Sequence, residues 1–227
     1  MADSCLLYYI TDRTAFGTDE PTRRRLLLEK IAEAARAGVD YIQLREKDLL
    51  TRQLESLASG AVAVLHRLRT ENRELRTTLL INSRTDVALA VGADGVHLRS
   101  EDITPGEVRN LWEKCGAGAP ARESSPRDPL VGVSCHSSEE VARVAKERAT
   151  FTVFGPVFEK KDVPNIQAAG LAKLRAACNA KIPVLALGGV TLGNAKECLE
   201  AGAAGIAAIR LFQENEVAEI VKEIRLR

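Results

Sequence analysis

The chain has 227 residues, 45% hydrophobic and only 4% aromatic, with 32 basic against 31 acidic side chains and a net charge of +1. That length and apolar content bury a core without staples, and the charge balance gives no electrostatic reason for a nucleic-acid partner or an anionic membrane surface. No apolar run approaches the ~18 residues of a membrane span and no signal-like pattern opens the chain, so a soluble, cytoplasmic protein is expected.

In chain order, short apolar runs rich in β-branched residues fall at Leu6 to Thr11, Asp40 to Arg45, Thr78 to Asn82 and Asp94 to Leu98. They continue at Leu130 to Cys135, Thr150 to Gly155, Pro183 to Gly188 and Ala204 to Ile209. Stretches of helical periodicity separate them, with Leu27, Ile31 and Ala34 in the first, Leu54, Leu57, Ala61, Leu65 and Leu68 in the second, and Val217, Ile220, Val221 and Ile224 in the last. Eight βα units at roughly 28 residues each predict a single (β/α)8 TIM barrel over residues 1–227. A doubly wound sheet is the poorer fit, because no G-x-G-x-x-G turn follows Thr11.

A barrel of this kind binds substrates on the loops after its strands. Residues 116–129 precede the fifth strand, which predicts a flexible loop on the opposite, bottom face; residues 156–167 follow the sixth and are the expected active-site loop. The strand ends carry Asp12, Gln43, Arg45, Lys47, Asn82, Arg84, Glu101, Asp102, His136, the Gly188-Gly189 pair and Arg210. Several cations and a glycine pair around one mouth point to an anionic ligand, most simply a phosphate.

The motifs Tyr9-Ile10-Thr11-Asp12, Gln43-Leu44-Arg45-Glu46-Lys47, Ile81-Asn82-Ser83-Arg84, Asp94-Gly95-Val96-His97-Leu98, Gly132-Val133-Ser134-Cys135-His136, Phe154-Gly155-Pro156-Val157-Phe158 and Leu187-Gly188-Gly189-Val190-Thr191 run in this order. Together they resemble the successive motifs of the thiamine phosphate synthase and TenI superfamily. The resemblance implies a thiazole phosphate ligand whose phosphate lies on Gly188, Gly189, Ile209 and Arg210. It also implies Gln43, Arg45, Lys47, Asn82, Ser134 and Gly155 as substrate-binding positions, and admits a homodimer.

Two activities belong to that superfamily. The synthase joins hydroxymethylpyrimidine diphosphate to thiazole phosphate and uses Mg2+, for which Asp102 is the one obvious carboxylate; Ser83 stands where an aspartate is usual. The usual Pro-Thr-x-Thr-Lys loop is replaced by Glu159-Lys160-Lys161-Asp162-Val163, leaving Lys160 or Lys161 as shifted substitutes. Arg99-Ser100 and Arg210 also depart from the synthase pattern. TenI-like members are thiazole tautomerases, which shift a proton on a carboxythiazole phosphate without a metal.

His136 is the expected catalytic acid/base. Ser137-Ser138-Glu139-Glu140 has capping-box spacing, which sets His136 between a strand end and the positive end of a helix, an arrangement that favours the neutral imidazole. His97 is expected as a satisfied polar group inside the barrel and His66 on the surface. Cys5, Cys115, Cys135, Cys178 and Cys198 form no C-x-x-C pair, so neither a disulfide framework nor a zinc site is indicated. Cys135 faces away from His136 by strand alternation. The departures favour the tautomerase, needing no cofactor; the alternatives are the synthase with Mg2+ and a non-catalytic phosphate-binding homologue.

Overall fold

The computed structural model describes residues 5–116, 128–159 and 167–226. Its strands are β1 (Leu6–Ile10), β2 (Tyr41–Leu44), β3 (Thr78–Asn82), β4 (Gly95–Leu98), β5 (Leu130–Cys135), β6 (Phe151–Phe154), β7 (Val184–Leu187) and β8 (Gly205–Ala208). Each pairs in parallel with the next and β8 returns to β1, closing the (β/α)8 barrel that the spacing of the apolar runs predicts. The ladder is shorter than the runs. Thr11, Arg45, Gly155, Gly188 and Ile209 lie just past their strands, where the backbone turns outward at the rim.

The helices are α1 (Glu20–Ala37), α2 (Thr51–Glu71), α3 (Thr85–Val91), α4 (Pro105–Gly116), α5 (Ser138–Lys146), α6 (Gly170–Ala177), α7 (Leu192–Glu200), α8 (Arg210–Gln213) and α9 (Val217–Arg225). Every periodic apolar residue named for the first, second and last helices is buried. The starts follow local chemistry. Thr104 and Glu107 form a reciprocal capping box before α4, with Thr104 N–H donating to Glu107 Oε2 at 2.7 Å and Glu107 N–H to Thr104 Oγ1 at 3.3 Å. Among the described residues no helix is long and apolar enough to cross a membrane.

Strand alternation sorts side chains into two packed layers. Leu7, Tyr9, Leu79, Ile81, Ile206 and Ala208 face the helices. Tyr8, Ile10, Leu80, Phe151, Val153, Leu185 and Ala207 fill the barrel. Near the N-terminal ends of the strands Tyr41 stacks on Phe151 with centroids 4.8 Å apart, and Tyr8 meets the same ring edge-on at 5.4 Å. This aromatic floor leaves the opposite end of the barrel for chemistry.

The bottom-face reading of residues 116–129 falls largely on 117–127, outside the described residues, and 160–166 of the expected active-site loop also lie outside them.

Barrel closure depends on Gly205, opposite Leu6, where a Cβ would come within 2.0 Å of the Leu6 carbonyl oxygen. Gly205→Ala is therefore expected to cost about 3 kcal/mol or more in a denaturant unfolding measurement. Gly106→Ala, in a helix with nothing within 4 Å of the added carbon, is expected to stabilise by about 0.5 kcal/mol. Equal effects at the two positions would contradict the packing account.

Candidate active site at the barrel mouth

Above the aromatic floor a hydrogen-bonded chain crosses the barrel. Gln43 Nε2 donates to the Tyr8 hydroxyl at 3.0 Å, that hydroxyl lies 3.1 Å from His97 Nδ1, and His97 Nε2 lies 2.9 Å from Ser134 Oγ. Tyr8 has one hydrogen and already accepts from Gln43, so it donates to Nδ1. Nε2 then carries the imidazole proton and donates to Ser134. Burial drives the His97 pKa down to about 3, with the nearby Arg45 charge acting in the same direction. His97 is thus the neutral, satisfied barrel residue expected, and it fixes Gln43 and Ser134 from below. Tyr8, the link between them, was not legible as such, because an apolar strand predicts a tyrosine as core.

Beyond this layer stand the cations. Arg45 is half-buried and Lys47 exposed. Among the described residues neither has an ion-pair partner, and Arg45 lowers the Lys47 pKa, with burial and Arg99 adding to the effect. Other expected members of the cationic mouth are neutralised locally. Arg84 lies across Asp86, at 2.8 Å and 2.5 Å, and donates to Thr51 Oγ1 at 3.1 Å; a carboxylate two residues away captures it. Arg99 folds onto Asp102, Nη2 to Oδ1 at 2.9 Å. The mouth is therefore less cationic than a count of strand-end residues predicts.

Asp102 receives Ser83 Oγ–H at 2.6 Å and the Arg99 amide at 2.8 Å on Oδ2. Burial pushes its carboxyl upward, but these bonds and the Arg99 guanidinium outweigh it and hold the pKa below the usual carboxylate range. Ser83 has a φ of +56°, a left-handed conformation uncommon outside glycine, and its amide donates to the His97 carbonyl at 2.8 Å. Asn82 Nδ2 reaches Ser83 Oγ at 3.3 Å.

The sequence reading missed the group that organises this rim. Arg13, 3% exposed, sits in a 3-10 turn after β1 and meets three carboxylates: Glu20 at 3.0 Å, Glu46 at 3.2 Å and Asp48 at 2.7 Å. Glu46, 1% exposed on its side chain, also accepts Thr11 Oγ1–H at 2.5 Å and the Arg13 amide at 3.0 Å. Asp12 is held on the other side by Gln213, whose Oε1 accepts the Asp12 amide at 3.2 Å while its Nε2 donates to the Asp12 carbonyl at 2.6 Å. The Glu46 and Asp48 positions, alternating with Arg45 and Lys47, were the available signal.

A cavity of about 770 Å³ opens beside the ends of β7 and β8, lined among others by Asp12, Glu159, Gly188, Gly189, Ile209 and Arg210. Gly188 and Gly189 have φ of +94° and +66°, and a Cβ on them would come within 2.5 Å of Pro156 and 2.7 Å of Phe158. The loop after β6 is pinned across this pair, with Val157 N–H donating to Leu187 O at 2.8 Å and Phe158 N–H to Gly188 O at 3.0 Å. Only glycine combines that backbone with that close approach. The structure thus brings together the four residues expected at the phosphate.

His136 is not among the residues lining that cavity. Its Nδ1 lies 2.5 Å from the Gly155 carbonyl, which can only accept, so Nδ1 donates to it. Ser137 caps α5 as predicted, accepting from Glu140 N–H at 3.2 Å, but the Glu140 carboxylate reaches back to the His136 amide at 2.6 Å. Cys135 is buried away from His136, and His66 is exposed. The remaining cysteines are free thiols.

A (β/α)8 barrel with a glycine-walled cavity at the ends of β7 and β8, a neutral polar layer inside it and, among the described residues, two rim cations without ion-pair partners has the architecture of an enzyme acting on small molecules. A model of the family described as thiamine monophosphate synthase matches residues 7–212. The thiamine-phosphate synthase of Syntrophomonas wolfei is 37% identical over 209 residues, covering 89% of this chain and 86% of that protein. That of Caldanaerobacter subterraneus is 33% identical over 228 residues, 96% and 93% of the two chains. The solved thiamine phosphate pyrophosphorylase of Pyrococcus furiosus superposes with a TM-score of 0.73 at 29% identity, covering 97% of this chain and 94% of that one. The chain belongs to this family of thiamine-biosynthetic enzymes.

His97 links the site to stability. Its folded-state pKa of about 3 lies below the ordinary imidazole value of 6.5, so only the unfolded chain takes up this proton between those values, and stability is lost as pH falls below about 6.5. Replacing His97→Asn should therefore shrink the stability difference between pH 7 and pH 5 by about 2 kcal/mol. An unchanged pH dependence in urea titrations would contradict the neutral assignment.

Proposed function

We propose that the protein is a thiamine-phosphate synthase, joining the pyrimidine methylene of hydroxymethylpyrimidine diphosphate to the ring nitrogen of thiazole phosphate with departure of diphosphate. The observation that carries this reading is the pair Arg45 and Lys47, close enough for Arg45 to lower the Lys47 pKa and, among the described residues, without ion-pair partners, at the rim that follows Gln43. A departing diphosphate needs such concentrated positive charge; a proton shift on a carboxythiazole does not. The relatives named above are synthases, and they give the expected tautomerase no support.

In this reading the phosphate of the thiazole lies in the cavity against Gly188, Gly189, Ile209 and Arg210. Gln43, Asn82, Ser134 and the Gly155 turn receive the pyrimidine, with Ser134 free to use its hydroxyl hydrogen because its lone pair accepts from His97. Arg45 and Lys47 bind the diphosphate and stabilise its charge as the carbon–oxygen bond breaks. Lys47, whose pKa the neighbouring Arg45 charge lowers, is the cation whose charged form a bound anion would favour.

The donor set suits magnesium as well. Among the described residues no three His, Cys, Asp or Glu side chains gather into a metal cage, but a hard cation carried by a diphosphate takes one or two carboxylates and keeps its waters. Asp102, ionised and fixed by Ser83, is that carboxylate. Mg2+, when bound, would neutralise charge developing on the diphosphate.

Incubating the protein with both substrates and Mg2+ should yield thiamine phosphate. Arg45→Ala should lower kcat/KM by about 100-fold through the diphosphate substrate, and His136→Asn should retain turnover within about threefold. Tautomerisation of carboxythiazole phosphate without thiamine phosphate formation, abolished by His136→Asn, would overturn the proposal.

A further inference from the structure

We infer that Arg13 is a positioning residue that keeps the diphosphate-binding cations unquenched by sequestering the carboxylates that alternate with them. The inference rests on the reading of Arg45 and Lys47 as the diphosphate site. Arg45-Glu46-Lys47-Asp48 places each cation next to an anion in sequence. Left to themselves, such neighbours satisfy one another, as Arg84 and Asp86 do one loop away at 2.5 Å. Here they do not.

The reason is the guanidinium behind them. Arg13 Nη1 and Nη2 grip Asp48 Oδ1 and Oδ2 at 2.7 Å and 2.8 Å, Nη1 also reaches Glu46 Oε2 at 3.2 Å, and Nε holds Glu20 at 3.0 Å. The two-pronged geometry uses the planar fork that arginine has and lysine lacks. Thr11 closes the arrangement, donating to Glu46 at 2.5 Å while its oxygen accepts the Arg45 amide at 3.0 Å. One buried cation thereby takes up the anions and at the same time fixes the backbone that carries Arg45. Asp48 is 57% exposed and would be released to the cations first if the fork were lost.

The test is calorimetric titration with inorganic pyrophosphate, which reads the cationic end without turnover. Arg13→Lys should weaken binding about tenfold, and adding Asp48→Asn to that variant should recover most of the loss, because the released competitor is gone. A merely structural role predicts that the double variant binds no better than Arg13→Lys, and that result overturns the inference, as does Arg13→Lys binding within about twofold of the parent. Should Arg13→Lys fail to fold, Asp48→Asn alone decides: affinity unchanged or tighter is expected, and weakening by more than about threefold contradicts it. Arg45→Ala with undiminished pyrophosphate binding would instead remove the assignment of the site itself, and the inference with it.

Discussion

Glu46 is a carboxylate with almost no contact with solvent, and the mouth of the barrel is built around keeping it satisfied. A buried ion pair is tolerable only when its remaining lone pairs and protons also find partners. Glu46 meets that requirement with Arg13, the Arg13 amide and Thr11, so the turn after β1 and the loop after β2 are locked together. Because Asp12 between them is bound through both its amide and its carbonyl to Gln213, the same three residues also tie the second strand's loop to α8. The two rim cations and the cavity beside β7 and β8 are thereby held in one frame, and Asp12 of the connecting segment itself lines that cavity.

This arrangement separates functions by depth. The aromatic floor provides packing, the Gln43–Tyr8–His97–Ser134 chain provides neutral, oriented hydrogen-bonding groups, and Arg13, Arg45, Glu46 and Asp102 bring charge to the rim. A protonated His97 beneath Arg45 would add a buried positive charge; burial and Arg45 keep it neutral and outweigh the opposing pull of the Asp102 carboxylate. The rim charge is in turn sorted. Arg84 and Arg99 pair with local carboxylates, while Asp48, beside Arg45 and Lys47 in sequence, pairs with Arg13. Near-neutral composition is thus compatible with a local excess of positive charge at the rim.

The fold was legible because strand alternation and helical spacing are local properties, and Leu7 against Tyr8, or Leu54 through Leu68, obey them without exception. The glycine pair stood out in sequence, and its positive φ angles and close approach to Pro156 and Phe158 give it a backbone reason to be glycine. What escaped depends on which partner wins. Arg84 and Arg45 are both strand-end arginines, yet only the structure reveals that Asp86 captures one while the carboxylates next to the other are held by Arg13. Capping-box spacing located Ser137 correctly but not the hydrogen bond that His136 Nδ1 donates to the Gly155 carbonyl. Gln213 and Tyr8 matter through contacts roughly 90 to 200 residues away in sequence, a range over which no pattern rule operates.

The central claim is that the mouth contains two anion subsites which are filled together, one walled by Gly188 and Gly189 and one formed by Arg45 and Lys47. A crystal structure with thiazole phosphate and inorganic pyrophosphate both supplied tests it most directly. The account predicts the phosphate against the glycine pair and pyrophosphate on Arg45 and Lys47 in the same molecule. Mutually exclusive occupancy of a single place, or pyrophosphate bound away from both cations, would contradict it.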